Sequence, residues 1–372
     1  MHTRVKSLVM HVKGHILCYL LIAILIPLSI VNRSKFLNYY TFVDWKTIVA
    51  LADLLLITKG LQKSKAFDYA AKKIITKASN EKNLSILLVI TTALISTLLT
   101  NDIALFIMIP LTLAITKYIE NKPTKILILE TFAANVGSLL TPFGNPQNMF
   151  LFHQWGLSIY MFIFNMLLLE TCLIVLLLLY TLIFVKQKMI IIRNNDNSTI
   201  EVNRRLLWVS LGLFALFLVS LEFSFLFYAS PAILVAYIIC CKKTIIECNW
   251  SLLLIFILIF VNINLLLSLS SVENTFSYLT QGNKLFLYIS GISISQVISN
   301  APAAIFLSHF SKNWLVITYA VNVAGNGTIV SSLANLITLK LSNTEKLGMK
   351  FHLYSFPFLI ISSVIGYMLL LI

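Results

Sequence analysis

The chain has 372 residues, 59% of them hydrophobic and only 11% charged, with a mean hydropathy of +0.90. Apolar runs of about 17 to 25 residues, the length that crosses a ~30 Å hydrocarbon core, recur throughout and exclude an ordinary soluble domain. A net charge of +14 could suggest nucleic acid, but the lysines and arginines cluster in short segments between apolar runs, as the positive-inside rule produces, and no nucleic-acid motif lies near them.

The first apolar run, His15 to Val31, follows a basic start without a small-residue cleavage site, so it reads as a retained span. A second span is expected at about 45 to 58. Arg4, Lys6 and Lys13 before this pair, and Lys59, Lys63, Lys65, Lys72, Lys73, Lys77 and Lys82 after it, place both flanks in the cytoplasm. The block 84–116 is followed by Lys117, Lys122 and Lys125, so it begins and ends on one side and must be a hairpin. Ile126 to about Phe152 then crosses outward and Ser158 to Phe184 returns. The polar stretch 185–205 divides the chain into 1–184 and 206–372.

In the second part, spans are expected at about 206–221, 226–241 and 250–270. The block 284–310 is a hairpin opening from the opposite side, because Lys340, Lys346 and Lys350 follow the run that starts at Trp314. The expected fold is an all-α polytopic membrane protein of two inverted-topology repeats, with about nine spans and two re-entrant hairpins, in the plasma membrane, N-terminus cytoplasmic.

Inverted repeats should leave a trace in the residues. The hairpins carry Ser96-Thr-Leu-Leu-Thr100-Asn101-Asp102 and Ser295-Gln-Val-Ile-Ser299-Asn300-Ala301, both of the form Ser-x-x-x-[Ser/Thr]-Asn. Each is followed by an apolar run broken by Gly and Asn: NVGSLLTPFGNPQN from Asn135 and NVAGNGTIVSSLAN from Asn322. This pairing is the signature of secondary transporters. A helix broken inside hydrocarbon must be buried or line a polar cavity, and its exposed ends can hold an anion on N–H groups or a cation on carbonyls. Gly137, Pro142, Gly144 and Pro146 make one break, and Gly325 and Gly327 the other. The amides of Asn145, Gln147, Asn148 and Asn326 can serve either ion.

Ser96 with Thr100, and Ser295 with Ser299, lie one turn apart on their half-helices and can join carbonyls around sodium. The cation-site residues are thus Ser96, Thr100, Asn101, Gly137, Ser295, Ser299, Asn300 and Gly325, with sodium as the only metal. The substrate-site residues are Asn101, Asp102, Thr141, Gly144, Asn145, Asn300, Ala301, Asn326 and Thr328. Asp44, Asp53 and Glu222 are read as span-end residues, Glu130 and Glu170 as deeper acids without an evident partner, and His153 and His309 as interfacial or packed. The five cysteines read as buried small hydrophobes.

The stretches LTNDIALFIMIPL and ANVGSLLTPFGNPQNMFLF resemble the ion transporter superfamily of citrate transporter-like permeases, which includes divalent anion:sodium symporters, arsenite efflux permeases and some sodium/proton antiporters. The resemblance runs from about Trp45 to the end. It implies that Thr100-Asn101-Asp102 and Ser299-Asn300-Ala301 stand where symporters carry Ser-Asn-Thr motifs for sodium and a substrate carboxylate. Neither third-position Thr is kept, and Asn101-Asp102 with Pro110 is closer to the arsenite permease pattern.

The expected activity is ion-coupled secondary transport of a small inorganic or carboxylate anion, with sodium or a proton as coupling ion and no cofactor. Arsenite or antimonite efflux and cation/proton antiport are the alternatives within transport. An intramembrane enzyme is the alternative outside it, and no His-Glu-x-x-His, Gly-x-Ser-x-Gly or Walker A pattern is present to support one. The expected partners are a small anionic substrate and membrane lipid, with a homodimer left open.

Overall fold

The computed structural model describes residues 18–66, 69, 80–116, 124–187, 201–248, 250–269, 283–342 and 347–372. Several residues on which the topology was read, among them Arg4, Lys13, Lys72, Lys117, Lys122 and most of the 185–205 segment, lie outside them. The described residues are helical with short connections and no strand ladder. The first span, α1 (Cys18–Val31), turns by 118° into a short segment, Arg33–Phe42, that ends in α2 (Tyr39–Phe42). Asn32 stands at this bend and donates from Nδ2 to the Leu28 and Leu265 carbonyls.

Two helix series follow, in the same order. The first is α3 (Trp45–Lys63), α4 (Glu81–Leu98), α5 (Asn101–Thr116), α6 (Thr124–Gly137), α7 (Pro146–Gln154) and α8 (Ile159–Phe184). After α9 (Arg204–Glu222) and α10 (Leu226–Ile246) comes the second: α11 (Ser251–Leu267), α12 (Lys284–Ile298), α13 (Asn300–Ser308), α14 (Trp314–Ala324), α15 (Leu333–Ser342) and α16 (Leu347–Leu369). The hairpins expected at 84–116 and 284–310 are α4–α5 and α12–α13. The broken runs are α6–α7 and α14–α15.

The helix starts follow capping chemistry. Asp44, Asn80, Asn145, Ser158, Asn203, Asn283 and Asn313 each accept a first-turn backbone N–H, and Pro146 opens α7 where no donor is needed. The surfaces are inverted relative to a soluble protein. Tyr228, Ile239, Ile183, Phe164 and Val297 are exposed on helix faces, whereas Thr92, Ser96, Asn135, Asn145, Asn148, Asn326 and Asn335 are buried. Lipid solvent demands an apolar skin and keeps polar side chains inside, here set within a largely apolar core. Five helices among the described residues are long and apolar enough to cross a membrane alone, six with the bent pair at the start. The pieces α5–α7 and α12–α15 are shorter, and the hairpin turns and breaks separate them.

Packing repeats with the order. α4 lies against α5 and α6, as α12 lies against α13 and α14; α6 meets α8, as α14 meets α16. Contacts also cross between the series: α5 packs on α15 and α13 on α7. The arrangement places both breaks side by side in the centre. Asp53, read as a span-end residue, is instead 1% exposed within α3, with Oδ1 accepting from Ser230 Oγ on α10.

Candidate functional site

The site is built from two breaks that interlock. In the first, α6 ends at Gly137 and the chain turns through 138–145 before α7. Gly137 is required by a close approach: a Cβ there would run into the backbone carbonyl of Ala93 on α4. A Cβ on Gly144 would likewise strike the Ser138 backbone. Asn148 gathers the turn, donating from Nδ2 toward the carbonyls of Ser138 (3.2 Å), Leu139 (3.2 Å) and Thr141 (3.1 Å). In the second, Asn335 Nδ2 donates to the carbonyls of Gly325 and Thr328, both at 2.8 Å. Ser138 and Thr141 stand to Asn148 as Gly325 and Thr328 stand to Asn335.

Each break is also held from the other half. Asn135 on α6 donates to Asn335 Oδ1 (2.9 Å) and Gly325 O (2.9 Å), while Asn322 on α14 donates to Asn148 Oδ1 (2.7 Å). Asn145 Nδ2 reaches Asn322 Oδ1 (3.0 Å), and Ser332 Oγ reaches Asn135 Oδ1 (3.1 Å). These amides are buried, where an unmade hydrogen bond is costly. Asn145, Asn148, Asn135, Asn322 and Asn335 are therefore spent on the scaffold of the breaks.

The hairpin tips converge on this seam. Asn101 opens α5, its backbone N–H donates to Gly144 O (2.9 Å), and its Nδ2 lies 3.4 Å from Asn135 Oδ1. On the other side, a Cβ on Gly325 would stand 3.3 Å from Asn300 Nδ2 and 3.6 Å from Asn135 Cγ. The structure thus brings Asn101, Asn300, Gly325 and Asn135 into one neighbourhood. Ser299, between α12 and α13, has φ 75° and ψ 156°, a backbone region that a residue with a side chain occupies only when its surroundings impose it.

The remaining sequence-derived residues divide. Ser96 Oγ donates to Ala134 O and Ser295 Oγ to Gly291 O, so their hydrogens are committed to backbone carbonyls. Thr100 Oγ1 faces the Ile103 N–H at 3.4 Å. The Gly325 carbonyl receives three donors, from Asn135, Asn335 and Ser331, and the Gly137 carbonyl receives Thr97; neither is a bare helix end. Thr141 and Thr328 donate to Thr97 O and Gln296 O. Ala301 is buried at the start of α13. Sequence reasoning missed Asn135, Asn322, Thr97 and Gln296, and only their matching places in the paired motifs, directly after Ser96 and Ser295 and first in each broken run, could have marked them.

Beside the hairpin tips and the breaks, two of the buried polar groups without a partner stand out. Asp102 Oδ1 is buried without a partner among the described residues, and so are both side-chain atoms of Asn326. Asp102, 3% exposed, lines a cavity of about 380 Å³ between α3, α5, α11 and α15 whose wall also includes Lys59 and Glu247. Glu247 is half exposed, so the cavity runs from the surface to Asp102. A second cavity, about 180 Å³, lies by Lys46, His153 and Glu222, at the opposite end of α3. The deep acids have partners after all: Thr112 Oγ1 donates to Glu130 Oε1 at 2.7 Å, and Thr97 Oγ1 lies 3.4 Å from Glu170 Oε1.

Helices with apolar outer faces around a polar, twice-broken centre define a multi-pass membrane protein of the transporter class. A family model described as citrate transporter matches residues 8–313, and the chain belongs to that family. It is similar to the inner membrane protein YbiR of Escherichia coli, 37% identical over 89% of this chain and 88% of the relative. It is also similar to the uncharacterized transporter MJ0456 of Methanocaldococcus jannaschii, 37% identical over 87% and 88%. A weaker likeness, 25% identical over 32% of this chain and 21% of the relative, is to the putative transporter arsB of Dictyostelium discoideum.

Proposed function

We propose that this protein is an ion-coupled secondary active transporter of a small anion, an inorganic oxyanion or a di- or tricarboxylate, in the plasma membrane with its N-terminus cytoplasmic. In this reading 1–184 and 206–372 are two repeats of inverted topology, about nine spans and two hairpins together, and the recurring order of elements supports it. The observation that carries it is the meeting of both hairpin tips at one pair of interlocked breaks, with Asp102 and Asn326 left unpaired beside them. A carboxylate inside a membrane protein costs at least ~2.5–3.5 kcal/mol on insertion scales, so an unpaired one marks a task. Asp102 holds the coupling proton or sodium, whose charge offsets the carboxylate and lets an anion approach the amides of Asn101, Asn300 and Asn326. The hydroxyls of Thr100 and Ser299 and the backbone of Gly144 complete the substrate and cation shell.

The same acid supports a second reading, efflux of a neutral metalloid hydroxide such as arsenite, or cation/proton antiport, because an unpaired carboxylate lining a cavity repels anions and attracts cations and hydroxyl donors. Purified protein in proteoliposomes decides. Labelled sulfate, phosphate, succinate, citrate and arsenite are offered with imposed sodium or proton gradients. Saturable, gradient-dependent accumulation of an anion supports the first reading. Movement of arsenite alone, or of cations against protons without any anion, replaces it with the second.

A further inference from the structure

Glu170 stands near the middle of α8, the longest helix, which runs from Ile159 to Phe184. Its Oε1 lies 3.4 Å from Thr97 Oγ1, and Thr97 Oγ1 lies 2.9 Å from both the Ala93 and Gly137 carbonyls. Three oxygens therefore surround a hydroxyl that carries one hydrogen. The Ala93 carbonyl belongs to the helical ladder of α4, whereas Gly137 ends α6, where the ladder supplies no N–H. The Thr97 hydrogen goes to Gly137, and the lone pairs of Oγ1 then face Glu170.

The second half shows what is missing. Gln296 stands where Thr97 stands: Thr328 Oγ1 donates to Gln296 O as Thr141 Oγ1 donates to Thr97 O. The Gln296 amide brings two hydrogens, one to Ile292 O (3.1 Å) and one to Ala324 O (3.1 Å), the counterparts of Ala93 O and Gly137 O. The first half is one hydrogen short at this position, and the carboxyl group beside it can supply one.

We propose that Glu170 is a protonation site separate from Asp102: it takes up one proton, and the resulting carboxylic acid O–H donates to Thr97 Oγ1, which donates to Gly137 O. Loss of that proton turns the Thr97 hydrogen to the carboxylate, the stronger acceptor, and away from Gly137 O, so the tie that holds the end of α6 depends on the proton. No basic side chain pairs with Glu170 among the described residues, and Lys59 and Lys63 pair with Glu247. The titratable groups on the helices packed against α8 are engaged elsewhere or stand at helix ends. Glu130 on α6 accepts from Thr112, Lys125 on α6 donates to Phe184 O, and Tyr319 on α14 donates to Asn165 O. His352 on α16 bonds Gly348 O, Lys350 and Tyr354 lie in the first turns of α16, and Glu81 and Lys82 open α4.

The test is infrared difference spectroscopy of the full chain in lipid nanodiscs between acid and alkaline pH, in sodium-free buffer and again in sodium chloride. Wild type is expected to show a carboxylic-acid C=O stretch that is absent in Glu170→Gln, retained but shifted in Glu170→Asp, and shifted in Thr97→Val, which keeps the shape and removes the acceptor. Identical acid stretches in wild type and Glu170→Gln overturn the proposal, because Glu170 would then neither take up nor lose a proton between the two pH values. A sodium-dependent rise in melting temperature in wild type, lost in Glu170→Gln and with no acid stretch, also overturns it in favour of a cation. If Glu170→Gln does not fold, the Thr97→Val shift carries the test: an unshifted spectrum rejects the relay. None of these readings uses transport, so the failure of the transport reading leaves them intact.

Discussion

Asn322 on α14 donates to Asn148 on α7 at 2.7 Å across 174 residues of chain, and it does so while Asn148 holds three carbonyls of its own turn. Removing either partner strands buried donors and acceptors. Asn322→Ala and Asn148→Ala should each lower stability by about 1–3 kcal/mol, and the double variant should cost less than the sum because one bond is counted twice. Melting temperatures of the purified variants in one detergent give the cycle, and strict additivity would show that the amides do not couple.

Two glycines give opposite expectations. Gly137→Ala places a methyl group against the Ala93 backbone, so α4 and α6 must separate, at a cost on the order of 1–3 kcal/mol for overpacking. Gly212 lies inside α9 with nothing near its Cβ position, so Gly212→Ala should stabilise by about 0.5–1 kcal/mol through helix propensity. A thermal melt in which both move the same way contradicts the packing described here.

Asp102 separates charge from shape. Asn fits the same space and caps a helix as well as Asp, so Asp102→Asn should insert, fold and exchange substrate across a membrane, yet fail to concentrate it against a gradient. Flux in proteoliposomes with and without the driving ion makes the measurement; unchanged concentrative uptake removes Asp102 from the coupling step.

Ser299 carries its side chain at φ 75°, ψ 156°, a region that costs about 1–3 kcal/mol for any residue but glycine. Ser299→Gly should therefore raise the melting temperature. A fall would mean that the serine hydroxyl contributes more than its backbone costs.

At the cavity mouth, the hydrogen bond from Lys63 holds the Glu247 carboxyl below its ordinary range, with Lys59 adding to the effect. A depressed carboxylate gives stability that is complete above the ordinary glutamate pKa and is lost as pH falls through the lower folded value. The link between the ends of α3 and α10 should hold at neutral pH and open only in acid below the ordinary glutamate range, and salt should weaken it because both partners are solvated. Proteolysis or cysteine labelling near residue 247 as a function of pH reads this opening. Glu247→Gln should show the open pattern at every pH.

The sequence made the breaks legible because glycine, proline and amides inside an apolar run contradict a continuous helix, and the paired Ser-x-x-x-[Ser/Thr]-Asn motifs marked both hairpin tips. The apolar runs and the basic segments between them likewise placed most helix starts within a few positions. What could not be read was partner choice. Asn148 and Asn335 look like free ligands in one dimension, and only the packed fold shows that their donors close the turns on which they sit. Asp53 looked like a span-end acid because the adjoining Lys59 and Lys63 suggested a shorter helix, yet α3 runs 19 residues and buries it beside Ser230. Glu170 seemed isolated because Thr97 is 73 residues away in the chain.

The reciprocal amides also set a mechanical limit. Since each broken helix is stitched to a residue of the opposite half, any displacement that preserves those stitches must carry α6–α7 and α14–α15 as one block. Slippage is then confined to the contacts of that block with its surroundings: the hairpin helices α4, α5, α12 and α13, and α3, α8 and α16. Between α7 and the neighbouring α11 the pair Phe150 and Phe260 sits edge to face at 5.6 Å, a greased bearing surface free of directional bonds between the rings.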